Sequence, residues 1–431
     1  MKQTTDVIPG IRLDNCMFEL PLDYAKPDKK TGVFARIVCA AGNEHADLPY
    51  MVFFQGGPGS GSPRPMGNTG WIKRVLKEYK LVLLDQRGTG LSTPITAQTM
   101  RGFASPQAHA DYLKHFRTDN IVRDAEAMRK QLIGDKPWSI LGQSYGGFCA
   151  MRYLSAAPEG LREVLITGGI PSLTRPTDDI YRATYKRVIE KNRLYYQRYP
   201  HDVEKVRAIV RHLLEHDVKM PSGGRLSAQR FLALGLQFGM SDGYEAIHYL
   251  VEEAFVDGVD GSNMQEMNWN FLFHLEQLQS FDTNPIFALM QEACYTQQAA
   301  SNWSADRLLA EFPEFDLNRS GTILFTGEMI YRWMFDTYPQ LQPLKEAADI
   351  LAKDATWPML YDLEKLKQNR VPVAAAVYFD DMYVHREFGE ETARIVPNMK
   401  LWITNQYEHN GLRADGEAVV DRLLGMVRGE V

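Results

Sequence analysis

The stretch Gly142-Gln143-Ser144-Tyr145-Gly146-Gly147 decides the fold of this chain. It follows residues 137–141, whose apolar run predicts a short buried strand, and it precedes residues 148–154, which predict a packed helix. A serine in the pattern Gly-x-Ser-x-Gly between a strand and a helix is typical of a turn so tight that the flanking positions must be small. Both positions are glycine here. The turn therefore predicts that the hydroxyl of Ser144 is exposed as a nucleophile.

Length and composition bound the remaining possibilities. The chain has 431 residues, is 45% hydrophobic and 24% charged, and carries a net charge of -6. These values indicate a globular protein of two or three domains. The acidic balance argues against nucleic acid or an anionic membrane as a partner. No apolar run reaches the ~18 residues that span a bilayer, and residues 1–6 lack the apolar core of a signal peptide. We expect a cytoplasmic protein, and its oligomeric state stays open.

The cysteines give no sign of a metal site or a disulfide framework. The four lie far apart in the sequence and none has Cys-x-x-Cys spacing: Cys16, Cys39, Cys149 and Cys294. We therefore expect reduced thiols, and neither a metal nor a cofactor.

Hydrophobic patterning divides the chain into two kinds of segment. Near-continuous apolar runs at residues 50–54, 81–85 and 138–141 predict parallel strands buried on both faces. Residues 23–32 predict a connection between two antiparallel strands. The other predicted elements are strands at residues 17–20, 33–39, 163–167, 371–378 and 400–404, and helices at residues 119–133 and 416–428.

Residues 172–344 have no regularly recurring strand pattern and are unusually aromatic. We interpret them as a helical cap domain inserted into a core formed by residues 1–171 and 345–431. Alternating strands and helices around a nucleophile turn indicate an α/β class, here the α/β-hydrolase fold. That fold has a mostly parallel sheet with helices on both faces.

A serine nucleophile requires a base and an acid that orients the base. In this fold they follow the serine in the order aspartate then histidine, each on a loop after a strand. His409 lies in the loop after the strand predicted at residues 400–404 and is assigned as the general base. Asp381 begins the loop after the preceding strand and is assigned as the acid, with the adjacent Asp380 as the alternative.

Two backbone amides are expected to form the oxyanion hole. One belongs to Tyr145, which follows the nucleophile, and the other to the loop after an early core strand. Gln55-Gly56-Gly57-Pro58-Gly59 fits that loop, and Gly57 is the assigned donor.

Three motifs carry a resemblance to a known family. The loop at residues 55–59 is similar to its His-Gly-Gly-Pro-Gly loop, residues 85–92 resemble its Asp-Gln-Arg-Gly-x-Gly-x-Ser segment, and residues 142–147 resemble its elbow. In this order the motifs resemble those of the prolyl aminopeptidases (proline iminopeptidases), in their longer form. The resemblance covers the core from near residue 10 to 171 and from 371 to 413, and weakly the cap. Gln55 stands where the family frequently has histidine, a change that leaves the oxyanion donors untouched.

The resemblance implies a serine exopeptidase that releases an N-terminal residue, preferentially proline, from peptides without a metal. Such an enzyme recognises the cationic amino terminus of its substrate, normally with carboxylates of the cap. Glu292 and Glu328 resemble the family's cap acids, and either is equally compatible with a structural role. Tyr331 and Trp333 are candidates for the walls of a pocket for the proline ring.

Two alternatives remain open at the level of sequence. A carboxylesterase or amidase would use the same serine, histidine and aspartate but would gain nothing from the cap acids. A non-catalytic ligand-binding protein of the same fold is disfavoured by the complete order of the three residues.

Overall fold

The computed structural model describes residues 2–258, 263–319 and 321–431. The strands, numbered along the chain, are β1 (Lys2–Ile8), β2 (Ile11–Asp23), β3 (Lys26–Ala40), β4 (Tyr50–Phe54), β5 (Lys80–Leu84), β6 (Trp138–Gln143), β7 (Leu161–Thr167), β8 (Val218–Lys219), β9 (Arg225–Leu226), β10 (Phe255–Asp257), β11 (Asn263–Met267), β12 (Val373–Tyr378) and β13 (Met399–Thr404).

The α-helices are α1 (Gly70–Leu76), α2 (Pro106–Leu113), α3 (Thr118–Ile133), α4 (Tyr145–Ala156), α5 (Thr177–Arg198), α6 (Asp202–Glu215), α7 (Ala228–Leu232), α8 (Gly243–Glu252), α9 (Trp269–Gln277), α10 (Pro285–Met290), α11 (Ser304–Leu308), α12 (Met334–Thr337), α13 (Lys345–Ala352), α14 (Leu363–Lys367), α15 (Arg386–Ile395), α16 (Gly411–Ala414) and α17 (Gly416–Arg428). None of these helices combines the length and apolar character needed to cross a bilayer.

Nine strands form one sheet in the order β1-β2-β3-β5-β4-β6-β7-β12-β13. The first three are antiparallel to their neighbours, and the six from β5 to β13 are parallel. The carboxyl ends of the parallel strands therefore meet at one edge of the sheet, which is where ligands bind in open α/β sheets.

Helices cover both faces of this sheet, as the sequence predicts. On one face, α1 and α17 bury Val75, Leu76, Val420 and Leu423 against the strands. On the other face, α3 and α4 bury residues such as Met128 and Met151 against the strands. The strands between the two layers are buried on both sides, which explains their near-continuous apolar sequences.

The chain leaves the sheet after β7 and returns beside it in β12, since Val164 pairs with Val373. The intervening segment contains helices α5 to α14 and two short hairpins, β8-β9 and β10-β11. Many of its aromatic residues pack in one hydrophobic cluster, which also includes core residues such as Phe116 and Tyr383 and to which α13 contributes Ala347 and Leu351. This helix lies beyond residue 344, where the sequence placed the end of the cap.

The prediction that a connection between two antiparallel strands lies in residues 23–32 is confirmed, but its bounds are too wide. Strand β3 begins at Lys26, and only Tyr24 and Ala25 separate it from β2. Strands β2 and β3 pair up to this turn, with Pro21 opposite Lys30 and Asp23 opposite Lys26. The residues are exposed, so their polar sequence gives no alternation from which a strand could be read.

A buried ion pair joins the sheet to α3. Arg87 follows β5, and its Nε and Nη2 lie 2.7 and 2.5 Å from the two carboxylate oxygens of Asp124. The other guanidinium hydrogens reach the carbonyl oxygens of Pro21, Leu22 and His115. Burial raises the pKa of Asp124, and the Arg87 charge opposes that rise. The Arg87 side chain thus donates hydrogen bonds to backbone carbonyl groups of β2 and of the turn before α3.

Arg87→Met should destabilise the protein by about 3–5 kcal/mol, because it leaves the Asp124 carboxylate buried without its counter-charge. The measurement is the guanidinium denaturation midpoint. Arg175→Met, which breaks a bidentate but partly exposed pair with Glu391, is the matched control and should cost much less. Equal shifts for the two variants would contradict a special role for Arg87.

Candidate active site

Ser144 lies at the junction of β6 and α4 with φ 54° and ψ -122°. A non-glycine residue in such a conformation costs about 1–3 kcal/mol and persists only where its surroundings enforce it. Here the surroundings are backbone atoms. A Cβ on Gly146 would lie 2.6 Å from the carbonyl carbon of Phe54, and one on Gly142 would lie 2.7 Å from that of Gly146. A side chain at either position would clash with these backbone atoms, so both positions require glycine.

Asp381 and His409 form a buried pair. Nδ1 of His409 lies 2.8 Å from Oδ2 of Asp381, and the two residues are 4% and 3% exposed. The other carboxylate oxygen accepts the backbone N–H groups of Tyr383 and Val384 at 2.8 and 3.1 Å. With Nδ1 bound to the acid, Nε2 is the nitrogen left for proton exchange. Asp380 instead lies 3.3 Å from Arg187 and is about half exposed.

The turn after β7 brings Ser144 and His409 to the same place. The N–H of Ser144 donates to the carbonyl oxygen of Thr167 at 2.9 Å. The next residue, Gly168, has φ 55°, and a Cβ there would lie 3.1 Å from Nδ1 of His409. A Cβ on Gly169 would lie 3.0 Å from the carbonyl carbon of Ser144. The serine backbone and the histidine ring therefore contact three consecutive residues.

The loop at residues 55–59 also contacts the nucleophile. A Cβ on Gly56 would lie 3.1 Å from the Cβ of Ser144, and Gly57 has φ 129°, which favours glycine. Tyr145 is the first residue of α4, so its N–H belongs to the helix start, where amides lack an intrahelical acceptor. Its ring is buried, and Thr118 Oγ1 donates to its hydroxyl at 2.8 Å.

Glu328 lies within electrostatic reach of the acid and base. Its carboxylate accepts a hydrogen bond from Nε2 of Gln291 at 3.2 Å. Burial raises its pKa to about 7, with a further contribution from the Asp381 charge, while His409 and Gln291 act in the opposite direction. No lysine or arginine of the described residues forms a salt bridge with it. Part of the side chain remains solvent-accessible.

The pKa of His409 responds to the same group. Burial lowers it, but the negative charges of Asp381 and Glu328 outweigh burial and hold it above its ordinary value. The ring is further fixed by an edge-on contact with Tyr383, at 4.6 Å between centroids. Its backbone N–H donates to the carbonyl oxygen of Gly239, in the segment between β7 and β12.

The structure places Glu292 in a different environment. Its Oε1 accepts the N–H of Ala305 at 3.0 Å, at the start of α11, and the residue is 7% exposed. Burial raises its pKa, and hydrogen bonds from residues 301–305 oppose the rise. The Glu292 carboxylate therefore already accepts a hydrogen bond at the start of α11.

Tyr331 and Trp333 stack on each other at 5.9 Å between ring centroids. Tyr331 is 1% exposed and shares a hydrogen bond with the hydroxyl of Tyr185 at 3.1 Å. Both belong to the hydrophobic cluster of the inserted segment. Their role as walls of a pocket for the proline ring stays a prediction.

Helix α5 contacts both loops that carry the acid and the base, a feature the sequence analysis missed. Nζ of Lys191 lies 2.6 Å from Oε1 of Glu408, and Arg187 reaches Asp380. Each acid is the chain neighbour of His409 or Asp381. The four-residue spacing of the two cations is a signal in the sequence, but it does not say which carboxylates they meet.

The described residues contain no group of three or more histidine, cysteine, aspartate and glutamate side chains that could hold a metal ion.

Comparison with known proteins shows which family and sequences this chain is similar to. A family model described as the alpha/beta hydrolase fold matches residues 49–250. A proline iminopeptidase of Aeromonas sobria is 46% identical over 424 residues, covering 98% of both chains. The proline iminopeptidase aneH of Aspergillus aculeatus is 37% identical, covering 97% of this chain and 94% of that protein. Among solved structures, Rv0554 from Mycobacterium tuberculosis has a TM-score of 0.44 at 14% identity, covering 96% of this chain and 99% of that chain.

The fold of the core and the extent of these similarities lead to one assignment. The sequence similarity to the two iminopeptidases runs through the inserted segment as well as the core, since it covers nearly the whole length of each chain. The chain therefore belongs to the proline iminopeptidase family of the α/β-hydrolase fold.

Proposed function

We propose that this protein is a serine aminopeptidase that releases an N-terminal residue, preferentially proline, from peptides. The observation that carries the proposal is the position of Glu328. Its carboxylate has no cationic side-chain partner in the part of the chain that the structure describes, and it lies close to a buried acid–base pair beside a strained serine. A site of this kind suits a substrate that brings its own positive charge next to the bond to be cleaved. The names of the two full-length relatives support proline as the preferred residue.

In the first half of the proposed reaction, Ser144 Oγ attacks the carbonyl carbon of the N-terminal residue. His409 accepts the hydroxyl proton at Nε2, and Asp381 stabilises the imidazolium through Nδ1. The N–H groups of Gly57 and Tyr145 hold the negative charge that develops on the carbonyl oxygen. His409 then protonates the nitrogen of the leaving peptide, the C–N bond breaks, and an acyl-enzyme remains.

Water completes the reaction. His409 takes a proton from the water molecule, whose oxygen attacks the ester carbon. Collapse of the intermediate returns the proton to Ser144 Oγ and releases the free amino acid. Each step is a proton transfer or an acyl transfer, so the chemistry is complete with the side chains and water alone.

The substrate ammonium couples recognition to catalysis. The Glu328 charge helps to hold a proton on His409, which a general base must not carry. An ammonium group bound at Glu328 offsets that charge and favours the neutral imidazole. Binding of the correct substrate therefore prepares the base. An N-acetylated substrate, which has no ammonium group, gains neither the contact nor this effect.

We also propose a cytoplasmic location. All four cysteines are buried free thiols, and a reducing compartment keeps thiols in this state.

Ser144→Ala should lower kcat by about 10⁴-fold or more while leaving the fold intact, because it removes only the nucleophilic oxygen. Hydrolysis of proline 2-naphthylamide is the assay, and circular dichroism checks the fold. Ser155→Ala, on the same helix, is the matched control and should retain activity. A Ser144→Ala variant with the wild-type rate would refute the serine mechanism.

Glu328→Gln should reduce kcat/KM for free-amine proline substrates by about ten- to a hundred-fold, the value of a charge-assisted contact. N-acetyl-proline substrates should be poor for the wild-type enzyme and no poorer for the variant. Glu292→Gln is the comparison: it should lower thermal stability through the weakened start of α11 and keep the preference for a free amine. A folded Glu328→Gln enzyme with full free-amine activity would favour an esterase or amidase instead.

The activity of the wild-type enzyme should rise with pH through about 7. Glu328 is charged only above its raised pKa, and His409 is a base only when neutral, so both groups give a rise in kcat/KM in the same direction. Glu328→Gln removes one ionisation and one negative charge that holds the proton on His409. The acidic limb of the variant's pH profile of kcat/KM should therefore move to lower pH. A limb at the wild-type position would contradict the electrostatic coupling between Glu328 and His409.

A further inference from the structure

A cleft of about 590 Å³ lies beside the candidate site and has no role in the proposed mechanism. Its walls include chain neighbours of the groups assigned to catalysis: Gln55 of the oxyanion loop, Gln143 before Ser144, and Asn410 after His409. Met240, another wall residue, follows Gly239, whose carbonyl oxygen accepts the His409 N–H. The volume falls within the range of ligand pockets. We call this cavity the arginine cleft.

The residues that line the arginine cleft and those near Glu328 pack in different hydrophobic clusters. The cleft is lined by Phe53, Ile72 and Leu412, which pack on the face covered by α1 and α17. Glu328 acts electrostatically on Cys294 and Tyr295, which pack on the face covered by α4. Ser144, at the carboxyl end of β6, directly follows Gln143 of the cleft wall.

The positive charge of the arginine cleft and the negative charge of Glu328 are complementary to the two ends of a short peptide. Arg64 and Arg413 are the charged residues of the cleft wall, and among the described residues no aspartate or glutamate lines it. Asp85, which holds Arg64 at 2.6 Å, is fully buried, so the guanidinium stands between it and solvent. Arg413 pairs with Asp242, whose side chain is 70% exposed and lies outside the lining.

We propose that the arginine cleft binds the leaving part of the substrate and that its two arginines attract the α-carboxylate of a short peptide. This inference rests on the proposed function, because it assumes that the scissile carbonyl lies at Ser144. An extended residue spans about 3.3–3.6 Å. Because Gln143 and Asn410 of the cleft wall are chain neighbours of Ser144 and His409, we expect a dipeptide or tripeptide to end at the cleft and a longer chain to carry its carboxylate past it. The enzyme should accordingly prefer short peptides with a free carboxyl terminus.

The test compares Pro-Ala with Pro-Ala amide, which differ only in the terminal charge. Wild-type enzyme should have a higher kcat/KM for the free acid, by about two- to fivefold for each arginine at low salt, the range for solvent-exposed ion pairs. The ratio should fall toward one in high salt because exposed charges are screened. Arg413→Gln should lower the acid-to-amide ratio, and Arg413→Glu should lower it further.

Arg422→Gln is the matched control, since this arginine of α17 lies over Trp402 and outside the cleft. It should leave the acid-to-amide ratio at the wild-type value. Inhibition by Ala-Ala and by Ala-Ala amide gives a second measurement on the wild-type enzyme that does not depend on any variant folding. The free acid should be the stronger inhibitor of proline 2-naphthylamide hydrolysis.

The outcomes separate this inference from the proposed function. A wild-type enzyme that cleaves neither the arylamide nor the peptides overturns the proposed function. An enzyme that cleaves the arylamide but treats acid and amide alike overturns the arginine cleft alone. A ratio that falls equally in Arg413→Gln and Arg422→Gln also overturns it, because the effect would then come from net charge.

Discussion

The close approach of backbone to backbone around Ser144 is the constraint on which the rest of the site depends. The elbow fits only because Gly142, Gly146 and Gly169 leave room for neighbouring carbonyl groups. That contact holds the serine in a conformation of positive φ that an isolated chain would avoid. Since the contacts come from the ends of β4, β6 and β7, the sheet must be in register before the nucleophile has its shape.

Electrostatics add a second level of organisation to this scaffold. The site holds negative charge on Asp381 and Glu328 around one imidazole, and the pKa values of His409 and Glu328 are raised together. The two carboxylates favour the protonated form of His409, and Glu328, with a pKa of about 7, is only partly ionised near neutral pH. In the proposed mechanism a cationic substrate offsets both effects. Selectivity for a free amino terminus and activation of the base are then two results of one proposed interaction.

The sequence predicts those parts of the molecule that depend on local pattern. Buried parallel strands are near-continuously apolar, and the elbow requires glycine at fixed spacing, so the core strands and the positions of Ser144 and His409 on loops at the sheet edge could be read directly. Glu292 and Glu328 could not be told apart, because their difference lies in contacts made by distant segments. Tyr331 and Trp333 show the same limit: their aromatic character fits a pocket wall as well as a packed core.

The ion pairs of α5 have a consequence for how this protein can diverge. Lys191 and Arg187 belong to the inserted segment, whereas Glu408 and Asp380 belong to core loops next to the base and the acid. A graft that replaced the insertion alone would remove both counter-charges at once. The insertion and the two loops are therefore not independent modules. Their charges are expected to change together among relatives, with each cation exchanged only alongside the carboxylate that it meets.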